Sequence, residues 1–267
     1  MADLVPIFNL NARPVYRDIY SPLEDLTDYQ LYKRFRLDRP SIEHLADVLR
    51  ADLDVESNRN RPISPEVQVC VALRYLASNS YQQVVGDTFG ISQASVCRIL
   101  DQFLRAINNR IGNFIRFPST EDQIRKAQHD CFSIAGFPGV VGCIDGTHVR
   151  IIAPTQNEND YVNRKRNNSL NVQVVCDGSH RFTNVAACWP GSLPDSFALR
   201  QSRLWDAYEQ NQLRGILLGD SGYPCRPWLM TPFNFKGDRE AGKLGYEDFT
   251  DLQPCRSALF GHFSLIA

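Results

Sequence analysis

The sequence lacks any long apolar run, and no stretch approaches the ~20 residues that a membrane-spanning helix needs. It also lacks a charge bias, because 29 basic and 30 acidic residues leave a formal net charge of −1. A protein coated with positive charge for nucleic acid is therefore excluded, and any DNA contact must come from local patches. The first residues show neither the basic start nor the long apolar segment of a signal peptide.

The eight cysteines include no Cys-x-x-Cys pair. This spacing argues against a zinc ribbon and against a disulfide framework, and it predicts buried free thiols of a reducing compartment. Hydrophobic residues make up 43% of the 267 positions. A chain of this length and composition can bury the core of one large domain or of two small ones.

Two apolar runs of strand type each deliver an aspartate that is followed closely by glycine. Asp145 lies in residues 140–152, and Asp220 lies in residues 215–223. An aspartate at a buried strand is costly unless it is paired or binds a metal ion. Two such carboxylates on adjacent strands would suit two-metal phosphodiester chemistry. The alternative is that both aspartates lie in turns or cap helices, because Asp-Gly is a common turn dipeptide.

Residues 81–104 show the pattern of a helix-turn-helix. Helical spacing runs from Tyr81 to Phe89, Gly90 supplies a turn, and Ser92 caps a second helix. In a DNA-binding unit of this type the start of the second helix faces the major groove. The candidate DNA-contacting residues are therefore Ser92, Gln93, Ser95 and Arg98. The alternative is an ordinary helical hairpin, and the weakly basic second helix predicts weak DNA binding by this unit alone.

The remaining pattern predicts an irregular leader (1–26), a helical region (27–136) and a mixed region after it. Helix starts are expected at four places: Thr27, Ser41, Ser64 with Pro65 following, and Ser119 or Thr120. Strands are expected at 140–145 and 147–152, interrupted at Gly146, and at 169–176, 182–189 and 216–218, with a helix at 196–210. Periodicity by itself predicts only a mixture of α and β.

The densest basic run of the second half is the segment Arg164, Lys165 and Arg166. It is either a solvated loop or a clamp that holds the DNA backbone through its phosphates. His148 follows the first aspartate closely, and it is either a core or supporting residue or a direct metal ligand.

Five motifs occur in a fixed order along the chain, at residues 142–148 (GCIDGTH), 161–165 (YVNRK), 169–173 (SLNVQ), 189–196 (WPGSLPDS) and 218–232 (LGDSGY to WLMTP). Together they resemble the PIF/Harbinger DDE transposase family, including its domesticated nucleases. The resemblance covers roughly residues 25 to 235, and the ordered set is specific to that family.

The resemblance implies an α+β chain, with an N-terminal helical region carrying a helix-turn-helix and an RNase H-like α/β nuclease core. It implies DNA cleavage by two aspartates and a third acid with Mg²⁺ or Mn²⁺, where Asp145 and Asp220 match the first two acids. Asp195 matches a further acidic position and is either a metal ligand or a helix cap. The family also implies DNA and a Myb-like DNA-binding protein as partners, and a location in nucleus and cytoplasm.

The end of the chain departs from the family pattern. The core at 140–235 is expected to be incomplete and C-terminally truncated, and residues 236–267 to be a divergent tail. The tail region contains four acids, Glu240, Glu247, Asp248 and Asp251, none in a matching context, so the third acid stays unassigned. The alternative function is a catalytically inactive DNA- or protein-binding module; a phosphohydrolase for small substrates is disfavoured by the helix-turn-helix.

Overall fold

The computed structural model describes residues 18–54 and 62–232. The chain divides into two compact units, a helical unit Met1–Ile111 and a sheet unit Gly112–Ala267. This division lies earlier in the chain than the boundary near residue 136 that the sequence pattern predicts. The reason is that the helix Glu121–Ala135 packs against the first strand of the sheet unit.

The described part of the helical unit consists of helices joined by short connections. Their bounds are α1 Pro22–Asp25, α2 Asp28–Phe35, α3 Arg39–Leu53, α4 Pro65–Ser78, α5 Gln82–Phe89 and α6 Gln93–Asn109. Their apolar faces meet in one core, whose largest fully buried side chains include Leu31, Ile42, Leu49, Val71 and Phe89.

Side-chain caps determine where these helices start. Thr27 and Gln30 form a reciprocal capping box at α2, and Ser64 accepts the Val67 N–H at α4 with Pro65 at the first helical position. The predicted cap at Ser41 is wrong, because the Asp38 side chain caps α3 and accepts the Ser41 N–H at 3.0 Å. Pro40 fits inside the first turn of α3, where a missing N–H costs nothing.

The described part of the sheet unit contains the following elements: α7 Ile111–Phe114, α8 Glu121–Ala135, β1 Val140–Arg150, α9 Glu158–Tyr161, β2 Ser169–Cys176, β3 Phe182–Pro190, α10 Asp195–Arg200, α11 Arg203–Glu209, β4 Ile216–Leu218 and β5 Leu229–Met230. Thr120 is the cap of α8, and it forms a capping box with Gln123.

The five strands form one mixed sheet in the order β3-β2-β1-β4-β5. The pairs β1–β2 and β2–β3 are antiparallel, whereas β1–β4 and β4–β5 are parallel. The core of this unit joins α8, α10 and α11 to the sheet through residues that include Ile124, Ile144, Leu199 and Leu217. The chain is therefore α+β, with a mixed sheet consistent with the nuclease core of the DDE type.

Two predicted element boundaries are wrong in this unit. β1 is one strand through Gly146, which pairs with Gln173 in the ladder, so no interruption occurs there. The predicted helix 196–210 is split in two, because the Ser202 hydroxyl donates to the Leu199 carbonyl at 2.6 Å and also caps α11 at Trp205.

The described cysteines differ in exposure. Cys70 and Cys176 are buried thiols, as predicted, but Cys97, Cys188 and Cys225 are exposed. In the described part of the chain, no helix combines the length and apolar character required to cross a membrane.

Candidate active site

Asp145 lies within β1, and Asp220 lies just after β4, the parallel neighbour of β1. Cys143 of β1 pairs with Leu218, the last residue of β4, and each aspartate comes two residues after its member of this pair. Side chains alternate along a strand, so Asp145 projects from the same face as Cys143. A Cβ built on Gly219 would meet the Ile144 side chain at 3.2 Å, on the opposite face. Gly219 therefore lies beside Ile144, and the two aspartates are the next residues of these neighbouring segments.

Local backbone contacts orient both carboxylates. Asp145 Oδ1 accepts the N–H of Gly146 at 2.9 Å, and Asp220 Oδ1 accepts the N–H of Gly222 at 2.9 Å. Both aspartates are half-buried.

Cys176 lies beside this face, opposite Cys143 in the β1–β2 ladder. Burial, and then the charges of Asp177 and Asp145, raise the pKa of its thiol from 9.0 to about 12. The thiol therefore stays protonated at neutral pH, which makes it a poor nucleophile.

Asp195 lies against the other face of the same strand. A Cβ on Gly146 would overlap its carboxylate, with the Asp195 Cγ only 2.6 Å away. Gly146 directly follows Asp145 in β1, so the two positions face opposite sides of the sheet. Asn171, which is 1% exposed, donates to Asp195 Oδ1 at 2.8 Å and to the Leu193 carbonyl at 3.1 Å. Asp195 and Asp145 therefore lie on opposite faces of β1.

The third acid expected from the family resemblance stays unassigned. Within residues 18–54 and 62–232, no group of three His, Cys, Asp or Glu side chains could hold a metal ion. The four tail acids considered from the sequence, Glu240, Glu247, Asp248 and Asp251, lie outside the described residues.

His148 lies on the Gly146 side of β1, three residues beyond Asp145. Its Nδ1 is 3.1 Å from the Ser169 hydroxyl, and it pairs with Asn171 across the ladder. The structure places His148 as a support between β1 and the start of β2.

The basic segment forms the loop between α9 and β2. Arg164, Lys165 and Arg166 are exposed, and none of them makes an ion pair with a residue that the structure describes. Ser169, which follows the loop, pairs with Arg150, five residues beyond Asp145 along β1. At strand spacing the base of the loop is therefore about 17 Å from Asp145 along the strand.

The start of α6 in the helical unit carries the other candidate residues. Ser92 is the helix cap, with its Oγ accepting the Ser95 N–H at 3.2 Å, and the two hydroxyls are 2.9 Å apart. Arg98 donates to the Ala94 carbonyl at 3.2 Å, and Gln93 is exposed. Gly90 has the left-handed φ of 70° that ends α5. Two helices and a tight turn are thus present at residues 82–109.

Sequence reasoning missed a row of buried polar residues on β2. Ser169, Asn171 and Gln173 alternate along the strand and are at most 1% exposed. The sequence signal for this row is the alternation of polar and apolar residues in 169–175. The same residues are part of a family motif, and only that motif was used to interpret them. Both amide atoms of Gln173 lack a hydrogen-bond partner among the described residues. Buried amides of this kind are normally satisfied by ordered water.

Comparison with known proteins agrees with the motifs. The family model described as "DDE superfamily endonuclease" matches residues 144–249. The Homo sapiens protein named "Putative nuclease HARBI1" is 41% identical over 213 residues, which cover 79% of this chain and 61% of that protein. The Arabidopsis thaliana protein named "Protein ALP1-like" is 31% identical over 224 residues, which cover 76% of this chain and 54% of that protein. The chain thus spans less than two thirds of the length of these relatives.

No solved structure matches the chain. Asp145 and Asp220 both lie inside the segment that the endonuclease model matches. With relatives in vertebrates and in a plant sharing the similarity, the chain belongs to the Harbinger-derived DDE endonuclease family.

Proposed function

We propose that the chain is a divalent-metal-dependent DNA endonuclease that hydrolyses phosphodiester bonds at Asp145 and Asp220. The observation that carries this proposal is that Asp145 in β1 and Asp220 just after β4 each come two residues after a paired position of these neighbouring parallel strands. Carboxylate oxygens are preferred ligands of Mg²⁺ and Mn²⁺, so the pair fits such an ion.

A divalent ion bound there would activate a water and neutralise the charge that develops on the leaving 3′ oxygen. Asp145 and Asp220 would hold that divalent ion in place. Their contacts to Gly146 and Gly222 orient the carboxylates before substrate arrives. Under this proposal a third carboxylate comes from residues outside the described part of the chain or from a second subunit.

Two surfaces would hold the DNA. Arg164, Lys165 and Arg166 would contact backbone phosphates, because exposed cations position a duplex without reading its sequence. At the start of α6, Gln93 and Arg98 would reach base edges in the major groove, with Ser92 and Ser95 nearby. As the family implies, a Myb-like partner would deliver the protein to DNA, with the chain in nucleus and cytoplasm.

The second candidate function is a catalytically inactive DNA- or protein-binding module derived from a nuclease. The observation that favours it is that the described residues contain no group of three His, Cys, Asp or Glu side chains that could hold a metal ion. Two carboxylates alone leave a pair of metal ions short of ligands.

Nicking of supercoiled plasmid by the purified chain in Mg²⁺ or Mn²⁺ tests the proposal. We expect nicking that is lost in Asp145→Asn and in Asp220→Asn, because each variant removes one anionic ligand. Asp206→Asn is the matched control, since it removes an exposed carboxylate of α11. A folded wild-type chain that binds DNA but never nicks it would favour the inactive binding module.

A further inference from the structure

The basic loop before β2 is built around one buried side chain, Asn163, which is 9% exposed. Its Oδ1 accepts the backbone N–H groups of Lys165 at 2.9 Å and of Asn167 at 3.1 Å. Its Nδ2 donates to the Ser169 hydroxyl at 3.0 Å. One amide therefore binds both the inside of the loop and the first residue of the strand that follows.

Backbone hydrogen bonds close the same loop. Asn163 N–H donates to the Asn167 carbonyl at 3.0 Å, and Arg166 N–H donates to the Asn163 carbonyl at 2.9 Å. Val162 and Asn168 form an isolated bridge at its base. Arg166 has a left-handed φ of 58°, which a non-glycine residue keeps only when the surroundings enforce it.

The base of the loop is held by two other motifs of the sequence. Ser169 is fully buried and lies 3.1 Å from His148 Nδ1. A Cβ on Gly191 would come within 2.6 Å of the Ser169 carbonyl and 2.7 Å of the Tyr161 carbonyl, so only glycine fits there. The next residue, Ser192, donates its N–H to the Asp160 carbonyl at 3.1 Å. The motifs at 142–148, 161–165, 169–173 and 189–196 thus meet beneath the loop.

The outer surface of this rigid loop presents three exposed cations, Arg164, Lys165 and Arg166. The nearest acids in sequence are Glu158 and Asp160 of α9, and Glu158 accepts a hydrogen bond from Asn168 Nδ2 at 3.3 Å. Because the loop backbone is already held in one conformation, its three cations can contact a nucleic-acid backbone without the entropic cost of ordering the loop first.

We propose that the loop 163–168 is a preformed phosphate-binding site for a DNA backbone and that Asn163 is its positioning residue. This inference rests on the proposed DNA binding of the chain, and it assigns Asn163 a role that neither the aspartates nor the cations supply. Asn163 contacts no phosphate itself; it holds the backbone from which the cations project.

A double-mutant cycle tests the role of Asn163. The measurement is the affinity of the full chain for a labelled DNA duplex, in EDTA so that no cleavage occurs, over a series of salt concentrations. We expect Asn163→Ala to weaken binding by roughly tenfold and to reduce its salt dependence, because ordered charge-assisted contacts are lost. The variant lacking all three cations, Arg164→Ala with Lys165→Ala and Arg166→Ala, should bind more weakly still.

The decisive result is the combination. Asn163→Ala should cause no further loss when the three cations are already absent, because its effect acts only through them. An equal, additive loss in that background would overturn the inference. So would unchanged binding by Asn163→Ala while the triple variant binds weakly, although the phosphate contact itself would then stand.

Two further variants complete the test. Ser169→Ala is nearly isosteric and removes the hydroxyl that contacts the Asn163 amide and His148 Nδ1 while leaving the Asn163 contacts inside the loop, so it should weaken binding less and should also be silent in the triple background. If Asn163→Ala does not fold, Ser169→Ala decides the question in the same cycle. Removing three other exposed cations, Arg200, Arg203 and Arg214, is the charge control. An equal loss in this control, or no loss in the triple variant, would overturn the loop as a phosphate site, whatever the nicking assay shows.

Discussion

The glycine that follows Asp145, Gly146, lies at a position with no room for a side chain. A side chain at this position would overlap the Asp195 carboxylate, which accepts a hydrogen bond from Asn171. The glycine after Asp145 therefore lets an acid from another element approach the strand, and the turn expected there from the sequence does not exist. A close approach and a turn place the same demand on a glycine, so sequence alone does not separate them.

Replacing Gly146 by alanine should destabilise the chain by about 1–3 kcal/mol, because the methyl group must displace a hydrogen-bonded carboxylate. The measurement is urea unfolding followed by circular dichroism. Gly112→Ala is the matched control, since no atom lies within 4 Å of the position its Cβ would take. It should be neutral or slightly stabilising. Equal stability of the two variants would show that Asp195 does not lie against the strand.

The site residues were unequally accessible from the sequence. Asp145 and Asp220 could be singled out from the sequence because each comes with an apolar run and is followed closely by glycine, and their role stays a prediction. The face occupied by Asp195 could not be predicted, because it depends on the register of β1 with β2 and on the packing of α10, which are long-range contacts. The sequence identified Asn163 only as a neighbour of the basic run, because its burial depends on how the loop folds.

At the scale of elements, side-chain caps made helix starts predictable where one candidate stood alone. Ser64 and Ser92 were identified correctly, and Thr120 was one of two neighbouring candidates. The prediction failed at Ser41, where Asp38 competes three residues earlier with Pro40 already in the first turn. It failed again at 196–210, because apolar spacing continues across the break that Ser202 imposes.

Ser92 is both a cap and a candidate DNA contact, and the two roles predict different results. Ser92→Ala should lower the stability of the chain by about 1 kcal/mol, because the Ser95 N–H loses its acceptor. Gln93→Ala, one residue later and exposed, should leave stability unchanged. Thermal unfolding of the two variants measures this difference. A stable Ser92→Ala would contradict the cap.

At the scale of the whole molecule, two buried thiols predict how stability responds to alkaline pH. Burial, followed by nearby carboxylate charge, raises the pKa of both Cys70 and Cys176 from 9.0 to about 12. Above pH 9 the unfolded chain releases these protons while the folded chain keeps them. The stabilising contribution is therefore complete below pH 9 and is lost as pH rises toward 12.

Urea unfolding at pH 8 and at pH 10.5 checks this expectation. Wild-type stability should fall between the two pH values, and Cys176→Ala should fall less steeply. Cys97→Ala, which removes an exposed thiol, should follow the wild type. Identical slopes for all three proteins would rule out Cys176 as a source of the pH dependence.

The unbroken β1 fixes the distance between the proposed cleavage site and the basic loop. Asp145 and Arg150 both lie on this strand, and Ser169 at the base of the loop pairs with Arg150, about 17 Å from Asp145 at strand spacing. A phosphate held by the loop and a bond cleaved at Asp145 would thus keep a constant separation, because one continuous ladder joins the two places.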